Sequence, residues 1–190
     1  MELKVVRNQS PINLKVESAA VWVTESSDRA DGFSKLVVGE PSKVEVVAKP
    51  QTSNQPLSSL TDGKIEAEQY GPIFSNSVGS GIYRMDLGKS QAVHSISTWS
   101  TNKGNSRGPQ RFTLYGSNSD GNPGWRINNR RKVTPLGTVD TRSLKQGKFT
   151  ATALQGRDGK SLGTFRWIYW QVAPVTDKGE NTALQEFQVK

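Results

Sequence analysis

Residues Phe165-Arg166-Trp167-Ile168-Tyr169-Trp170-Gln171-Val172 form the stretch that decides the fold class. Aromatic and β-branched side chains dominate this stretch, and such side chains favour β-strands. A strand sends successive side chains to opposite faces, and here bulky groups fall on both faces. We therefore predict a central strand that is covered on both sides.

Short apolar runs of strand length recur along the rest of the chain. Turn signals such as Asp62-Gly63 and Asn122-Pro123 separate most of them, and no segment keeps the 3.6-residue apolar period of a helix. In Arg111–Tyr115, the alternation predicts that Phe112 and Leu114 face the core and that the other side chains face outward. The pattern as a whole predicts an all-β antiparallel sandwich or barrel.

The chain length of 190 residues suits one domain with an appendage. Residues 49–59 are polar, contain two prolines and are typical of a connecting segment. We interpret residues 1–42 as an N-terminal β appendage or the end of a preceding domain, and residues 43–190 as the main domain. No apolar run approaches the ~20 residues that a membrane-spanning helix needs.

Catalysis finds little support in the sequence. The absence of cysteine excludes a disulfide framework, a thiolate metal site and a cysteine nucleophile. The single histidine, His94, lies inside a strand-like run, and no Gly-x-Ser-x-Gly or His-Glu-x-x-His motif is present. The acidic residues are scattered over turns, and nothing pairs two of them for glycoside hydrolysis. We therefore predict that the protein is not an enzyme.

The net charge of +8 is concentrated in one segment. Between Lys103 and Lys132 stand seven cationic residues and a single acid, Asp120. A chain with this charge attracts anions such as nucleic acid, acidic lipid head groups, and acidic or sulfated polysaccharide.

Several segments occur in the order of a known family. They are Leu60–Gly63, Tyr83–Lys89 followed by Val93–Ile96, Arg111–Ser117, Phe165–Ile168 and Ala183–Val189. Together they resemble the coagulation factor 5/8 type C, or discoidin-like, domain, in the variant found as an accessory module of bacterial proteins. The resemblance runs from about Ser42 to the C-terminus. The chain departs from the family in lacking a tryptophan shortly after Asp62-Gly63 and in carrying an arginine-rich loop after Trp125.

The resemblance implies an antiparallel jelly-roll β-sandwich of the galactose-binding-like type, with binding loops at one end. It also implies a secreted or cell-surface protein, in which a monomeric, non-catalytic module binds carbohydrate. The first residues show no signal-peptide apolar region. Either the protein is cytoplasmic or Met1 was added to a mature or excised fragment, and the resemblance favours the second.

A sugar site requires aromatic rings in loops beside fixed polar groups, because sugars present C–H faces and hydroxyls. Trp125 lies in a turn-rich stretch where a core tryptophan is unexpected, and it is followed by arginines that can bind carboxylate or sulfate. The alternative is a structural role, in which Trp125 caps the edge of the sandwich and the neighbouring arginines are solvated. The predicted ligand-binding residues are Trp125, Arg126, Asn129, Arg130, Trp99, Arg107 and Tyr70. For Tyr70 the alternative is packing under a loop, and for Arg107 it is a role in a structural corner. Both alternatives stay open.

A structural calcium ion is implied by the resemblance, between the Asp62-Gly63 loop and the last strand. Calcium takes several oxygen ligands from carboxylates and backbone carbonyls. Asp62 and Glu186 match the family positions, and Glu66 is a candidate third ligand. Lys64 stands where the family has a further acid or asparagine, so the alternative is a turn-forming Asp62 and an exposed Glu186.

Two other functions stay open. Aromatic residues alternate with basic ones between Lys103 and Lys132, as in proteins that bind single-stranded nucleic acid. Trp125 in a basic loop also suits adhesion to a protein or to anionic phospholipid. From the sequence, recognition of acidic or sulfated polysaccharide is the favoured function.

Overall fold

The computed structural model describes residues 4–5, 19–26, 36, 38–75, 77–128 and 132–190. The strands of this part of the chain are β1 Lys4–Val5, β2 Ala19–Ser26, β3 Glu45–Lys49, β4 Thr52–Ser53, β5 Ile73–Phe74, β6 Gly81–Val93, β7 Ser95–Thr101, β8 Arg111–Ser117, β9 Thr134–Asp140, β10 Phe149–Gly156, β11 Gly163–Val172 and β12 Leu184–Val189. Short 3₁₀ turns lie at Leu57–Thr61, Lys103–Asn105 and Arg157–Gly159.

Ten of these strands form two five-stranded sheets that pack face to face. The front sheet has the order β3-β6-β11-β8-β9, and all its neighbouring strands are antiparallel. The back sheet has the order β1-β2-β10-β7-β12, in which the β1–β2 pair alone is parallel. The predicted all-β antiparallel sandwich is confirmed.

The core lies between the two sheets and is built around β11. Ile168, Trp170 and Val172 face the back sheet, and the Trp170 ring stacks on Phe187 of β12 with ring centroids 4.1 Å apart. Removing a ring of this size from a core costs about 3–5 kcal/mol. On the opposite face of β11, Trp167 and Tyr169 are covered too, and Gln171 is exposed. The prediction of a central strand covered on both sides is confirmed up to Gln171.

Two further parts of the chain bear on the predicted organisation. Strand β2, within the segment interpreted as an appendage, pairs along the whole of β10 and so extends the back sheet. The boundary between residues 42 and 43 stays a prediction. The predicted connecting segment 49–59 contains the two-residue strand β4, which pairs with β5, and the beginning of the 3₁₀ turn Leu57–Thr61.

Candidate functional site

A single row of side chains crosses the outer face of the front sheet from one edge to the other. Strand pairing places the five residues directly beside one another, one from each strand in the order Lys49, Ile82, Gln171, Thr113 and Thr138. All five are exposed or half-buried. Phe112 and Leu114 point the other way and are buried, so the predicted alternation along β8 is confirmed.

The loop between β8 and β9 folds over part of this face instead of extending into solvent. Its backbone carbonyls accept hydrogen bonds from side chains of β6 and β11. Trp167 Nε1 donates to Ser119 O at 2.9 Å, and Tyr169 Oη donates to Gly124 O at 3.2 Å. Gly124 has a φ of +75°, a conformation that glycine adopts without strain. The loop is therefore fixed to the sheet that it covers.

Arg84 is the central anchor of this loop. Its side chain is 5% exposed, and Nη1 donates to Asn122 Oδ1 at 2.7 Å and to Gly124 O at 3.0 Å. The guanidinium lies between two indoles, 4.6 Å from the ring centroid of Trp125 and 5.0 Å from that of Trp167. A cation held this close to aromatic faces is attracted by their quadrupoles. These contacts hold Trp125 against the sheet.

A second anchor holds the beginning of the loop. Asp86 and Arg166 form a two-pronged ion pair, with Nε–Oδ1 and Nη2–Oδ2 distances of 2.9 and 3.0 Å. Arg166 Nη1 also donates to Asp120 O at 2.6 Å. The hydrogen bond from Arg166 is the main reason why the pKa of Asp86 lies below its usual value, and burial opposes it.

Trp125 and Arg126 form one wall of a groove on this sheet face. The groove has a volume of about 860 Å³ and its lining includes the whole cross-strand row. A second hollow of about 480 Å³ shares Lys49, Trp125 and Arg126 with the groove and also contacts Lys132. No aspartate or glutamate of the described residues lines either cavity. The site is therefore a groove with an aromatic and cationic wall over a sheet face of mixed polar and apolar side chains.

The cations of the groove differ in how they are neutralised. Within the described residues, the salt bridges involve none of Lys49, Arg126 and Lys132. Arg111 lies 3.7 Å from an Asp140 oxygen, but that carboxylate is bound more closely by Arg142 at 2.7 Å. Such a groove attracts an anionic ligand.

The predicted ligand-binding residues fall in different places. Trp125 and Arg126 line the groove, whereas Asn129 and Arg130 lie outside the described residues. Trp99, which we expected to stack on a sugar, is 1% exposed and packs with Phe149 on the outer face of the back sheet. A ring buried this deeply presents no face to a ligand, so Trp99 is not part of the candidate site.

Arg107 and Tyr70 lie together, outside the lining of the groove. Arg107 is 5% exposed; its Nη1 donates to Asn181 O, and its Nε lies 3.9 Å from Glu180. It therefore occupies the structural corner that was the alternative for this residue. Tyr70 is half-buried, its hydroxyl donates to Lys103 O, and its ring centroid lies 6.0 Å from the Arg107 guanidinium. These contacts give both residues packing roles.

The predicted metal ligands lie around the Asp62-Gly63 turn. Glu186 is fully buried; its Oε2 accepts a hydrogen bond from Gly63 N at 3.2 Å, and its Oε1 has no partner. Burial raises the pKa of Glu186 to about 8. Asp62 Oδ1 accepts from Lys64 N within the turn, and Glu66 is exposed. No cluster of three or more acidic or histidine side chains able to hold a metal occurs among the described residues.

Sequence reasoning missed most of the groove. Lys49, Ile82 and Gln171 were not singled out. Lys49 was assigned to the connecting segment 49–59, and Ile82 and Gln171 are ordinary residues of strand-like runs. The alternation along β8 did point Arg111 and Thr113 outward. No local signal identified Arg84, because its partners Asn122 and Gly124 lie about forty residues later in the chain.

Two further observations concern other classes of function. His94 is exposed, and its Nδ1 lies 3.3 Å from Gly159 O, away from the groove. No helix in the described part of the chain is long and apolar enough to cross a membrane.

No protein-family model and no curated protein matches this sequence. Solved structures do match it. One is a chitosan-binding module from a chitosanase/glucanase of Paenibacillus sp. IK-5, with 16% identity, a TM-score of 0.54, and coverage of 77% of this chain and 93% of that one. Another is the family 32 carbohydrate-binding module of C. perfringens NanJ, solved with galactose, with 15% identity, a TM-score of 0.54, and coverage of 77% and 92%. The chain has the galactose-binding-like, discoidin-like β-sandwich fold of these modules.

Proposed function

We propose that this protein is a non-catalytic carbohydrate-binding module and that the groove beside Trp125 is its binding site. The observation that carries the proposal is the groove itself, in which an anchored indole stands beside cations over a row of side chains that are polar except for Ile82. The preferred ligand is an acidic or sulfated polysaccharide. The module is monomeric and belongs to a secreted or cell-surface protein in which it accompanies other domains.

Each part of the groove has a function in such binding. The Trp125 indole offers an apolar surface to the C–H groups of a sugar ring. Arg126 and Lys49 are available to carboxylate or sulfate groups, and a guanidinium binds these groups with two parallel hydrogen bonds. Gln171 binds Tyr115 Oη through Oε1, which leaves the donors on its Nε2 for sugar hydroxyls.

The fold is consistent with this function. Among the structures with this fold are modules whose names describe binding of chitosan, and one of them was solved with chitotriose. Fold alone does not give a ligand. The preference for an anion therefore rests on the charges of this groove.

Binding to immobilised neutral, uronic and sulfated polysaccharides at low and high salt tests the proposal. We expect retention on anionic polymers, at least a tenfold loss in Trp125→Ala, and a clear loss in Arg126→Gln. Arg157→Gln is the matched control, because it removes the same charge from an exposed turn outside the groove. Failure to bind any glycan would refute the proposal. Tight, salt-sensitive binding of single-stranded DNA through Trp125 would replace it with a nucleic-acid function.

A calcium ion at the Asp62-Gly63 turn is the second part of the proposal. A buried carboxylate oxygen is costly without a partner, and Glu186 Oε1 is such an atom. Glu186 and Asp62, with backbone carbonyls of the turn, would hold the ion, and Glu66 is the most exposed of the three candidates. The ion would supply positive charge that stabilises the turn and would take no part in ligand chemistry.

Thermal unfolding with calcium and with chelator tests this second part. We expect calcium to raise the melting temperature of the natural protein and to leave that of Glu186→Gln unchanged. Glu68→Gln is the matched control, because it removes the same charge from an exposed position that is not a candidate ligand. An equal shift in the natural protein and in Glu186→Gln would place the ion elsewhere, and no shift would exclude it.

A further inference from the structure

We infer that the groove holds an internal segment of a linear polysaccharide that runs across the strands, and that it does not recognise a single terminal sugar. This inference rests on the proposed function, because it concerns the same groove. It follows from the length of the cross-strand row, from where the row ends, and from where the cations stand along it.

The row is much longer than one sugar ring. It takes one residue from each of the five strands of the front sheet, from Lys49 on β3 to Thr138 on β9. Neighbouring strands lie about 4.8 Å apart, so the row spans roughly 19 Å. A single sugar would cover only part of this length, whereas a chain of several sugars would fill it.

Both ends of the row reach the margin of the sheet. Strands β3 and β9 are the two edge strands, and each pairs with one neighbour in the front sheet. Lys49 and Thr138 therefore stand where the sheet stops. A site for a chain terminus needs a wall at one end, but the lining of this groove continues over every strand from one edge to the other.

The cations are spread along the groove instead of meeting at one point. Lys49 lies on the edge strand β3 and Arg111 lies on β8, three strands away, which corresponds to roughly 14 Å across the sheet. Arg126 lies with Trp125 in the loop that forms the wall. One acidic sugar cannot reach cations so far apart. A polymer that repeats its negative charge along the chain can pair with them together.

Apart from Lys49 and the apolar Ile82, the row offers neutral hydrogen-bonding groups. Thr113 Oγ1 and Thr138 Oγ1 lie 3.0 Å apart and share one hydrogen bond, so at least one further hydroxyl hydrogen points elsewhere. Gln171 adds the donors on its Nε2. This arrangement suits hydroxyls of successive sugars along a chain.

The test compares ligands of one chemistry and increasing length. Isothermal titration calorimetry would use galacturonic acid, its linear oligomers and polygalacturonate, with a parallel series of heparin-derived oligosaccharides. We expect affinity to rise at least tenfold from the monosaccharide to the longer oligomers and then to level off. Lys49→Gln and Arg111→Gln should each weaken long oligomers about threefold or more, while Arg157→Gln should have no effect. The Asp140 carboxylate keeps Arg142 as a partner in Arg111→Gln.

The outcomes separate this inference from the proposed function. Binding of monosaccharide and polymer with equal affinity, lost in Trp125→Ala, would keep the carbohydrate function and overturn the internal-chain inference. A length dependence that disappears in neither Lys49→Gln nor Arg111→Gln would overturn it as well. No binding in either series, with every protein folded by circular dichroism, would overturn both.

Discussion

Replacing Arg84 by methionine is expected to release the loop that carries Trp125 without unfolding the sandwich. Methionine keeps much of the length and apolar volume of the side chain but removes the charge and the donors. The substitution deletes the hydrogen bonds to Asn122 Oδ1 and Gly124 O and the contacts with two indoles. All of these contacts join strand β6 to the loop or to Trp167, and none lies in the core between the sheets.

The size of the effect can be worked out from these contacts. Two hydrogen bonds at about 1 kcal/mol each and the cation–π contact with Trp125, of similar size, join the loop to the sheet and give about 3 kcal/mol. Part of this loss is offset, because Arg84 Nε is buried without a hydrogen-bond partner and methionine removes the free-energy cost of burying it. Gly124 O also keeps the hydrogen bond from Tyr169. We therefore expect about 2 kcal/mol, which is roughly a thirtyfold change in the equilibrium between docked and released loop.

Hydrogen exchange at the contact between the loop and the sheet measures this equilibrium. The indole Nε1 proton of Trp167, which donates to Ser119 O of the docked loop, should exchange roughly thirtyfold faster in Arg84→Met. Amides of β7 and β10 in the back sheet should keep their rates. Arg157→Met is the control for charge removal at an exposed position. Unchanged exchange of the Trp167 indole proton, or equal acceleration throughout the protein, would refute the role of Arg84 as the anchor of this loop.

Two further predictions concern stability. The Asp86 pKa is lowered mainly by Arg166, so its stabilising effect is present above the unfolded pKa near 4 and is lost as pH falls through the lower folded value. Asp86→Asn should therefore cost on the order of 1 kcal/mol at pH 7, and urea titrations should show this difference shrinking below about pH 4. Gln110 is fully buried and donates to Thr98 O and Thr150 O, so Gln110→Met should destabilise the protein by about 2–4 kcal/mol in the same assay, because it leaves these carbonyls without that donor.

The sequence predicted those features that depend on neighbours in the chain. The alternation along β8 gave the correct faces for Phe112 and Leu114, and the bulk on both sides of β11 indicated a strand with two covered faces. Both conclusions follow from the two-residue period of a strand, which is a local property. The segment that covers Trp167 and Tyr169 was not predictable, because it is a loop some forty-five residues earlier in the chain.

Trp99 and Arg84 show why most of the site escaped prediction. In the sequence, Trp99 ends a strand-like run next to a loop, and this position fits either a core residue or a ligand platform. The apolar residues that bury it, among them Val38 and Ile65, come from distant segments that cover the back sheet. Arg84 points outward from its strand, as a solvated arginine would. Only tertiary structure places it between two indoles.

The cations that line the groove are also not the set that the sequence singled out. The sequence concentrates the positive charge in the segment from Lys103 to Lys132, but its first cations have partners away from the groove: the exposed Lys103 donates through Nζ to Glu68 O, and Arg107 is buried beside Glu180. The groove instead combines Arg126 with Lys49, which lies outside that segment. A count of basic residues in the segment therefore overestimates how many of them contribute to the groove, and it omits Lys49. The case for an anionic ligand depends on which cations of the groove lack a carboxylate partner. Lys49 and Arg126 take part in none of the salt bridges of the described residues, and both line the groove with an indole that is already held in place.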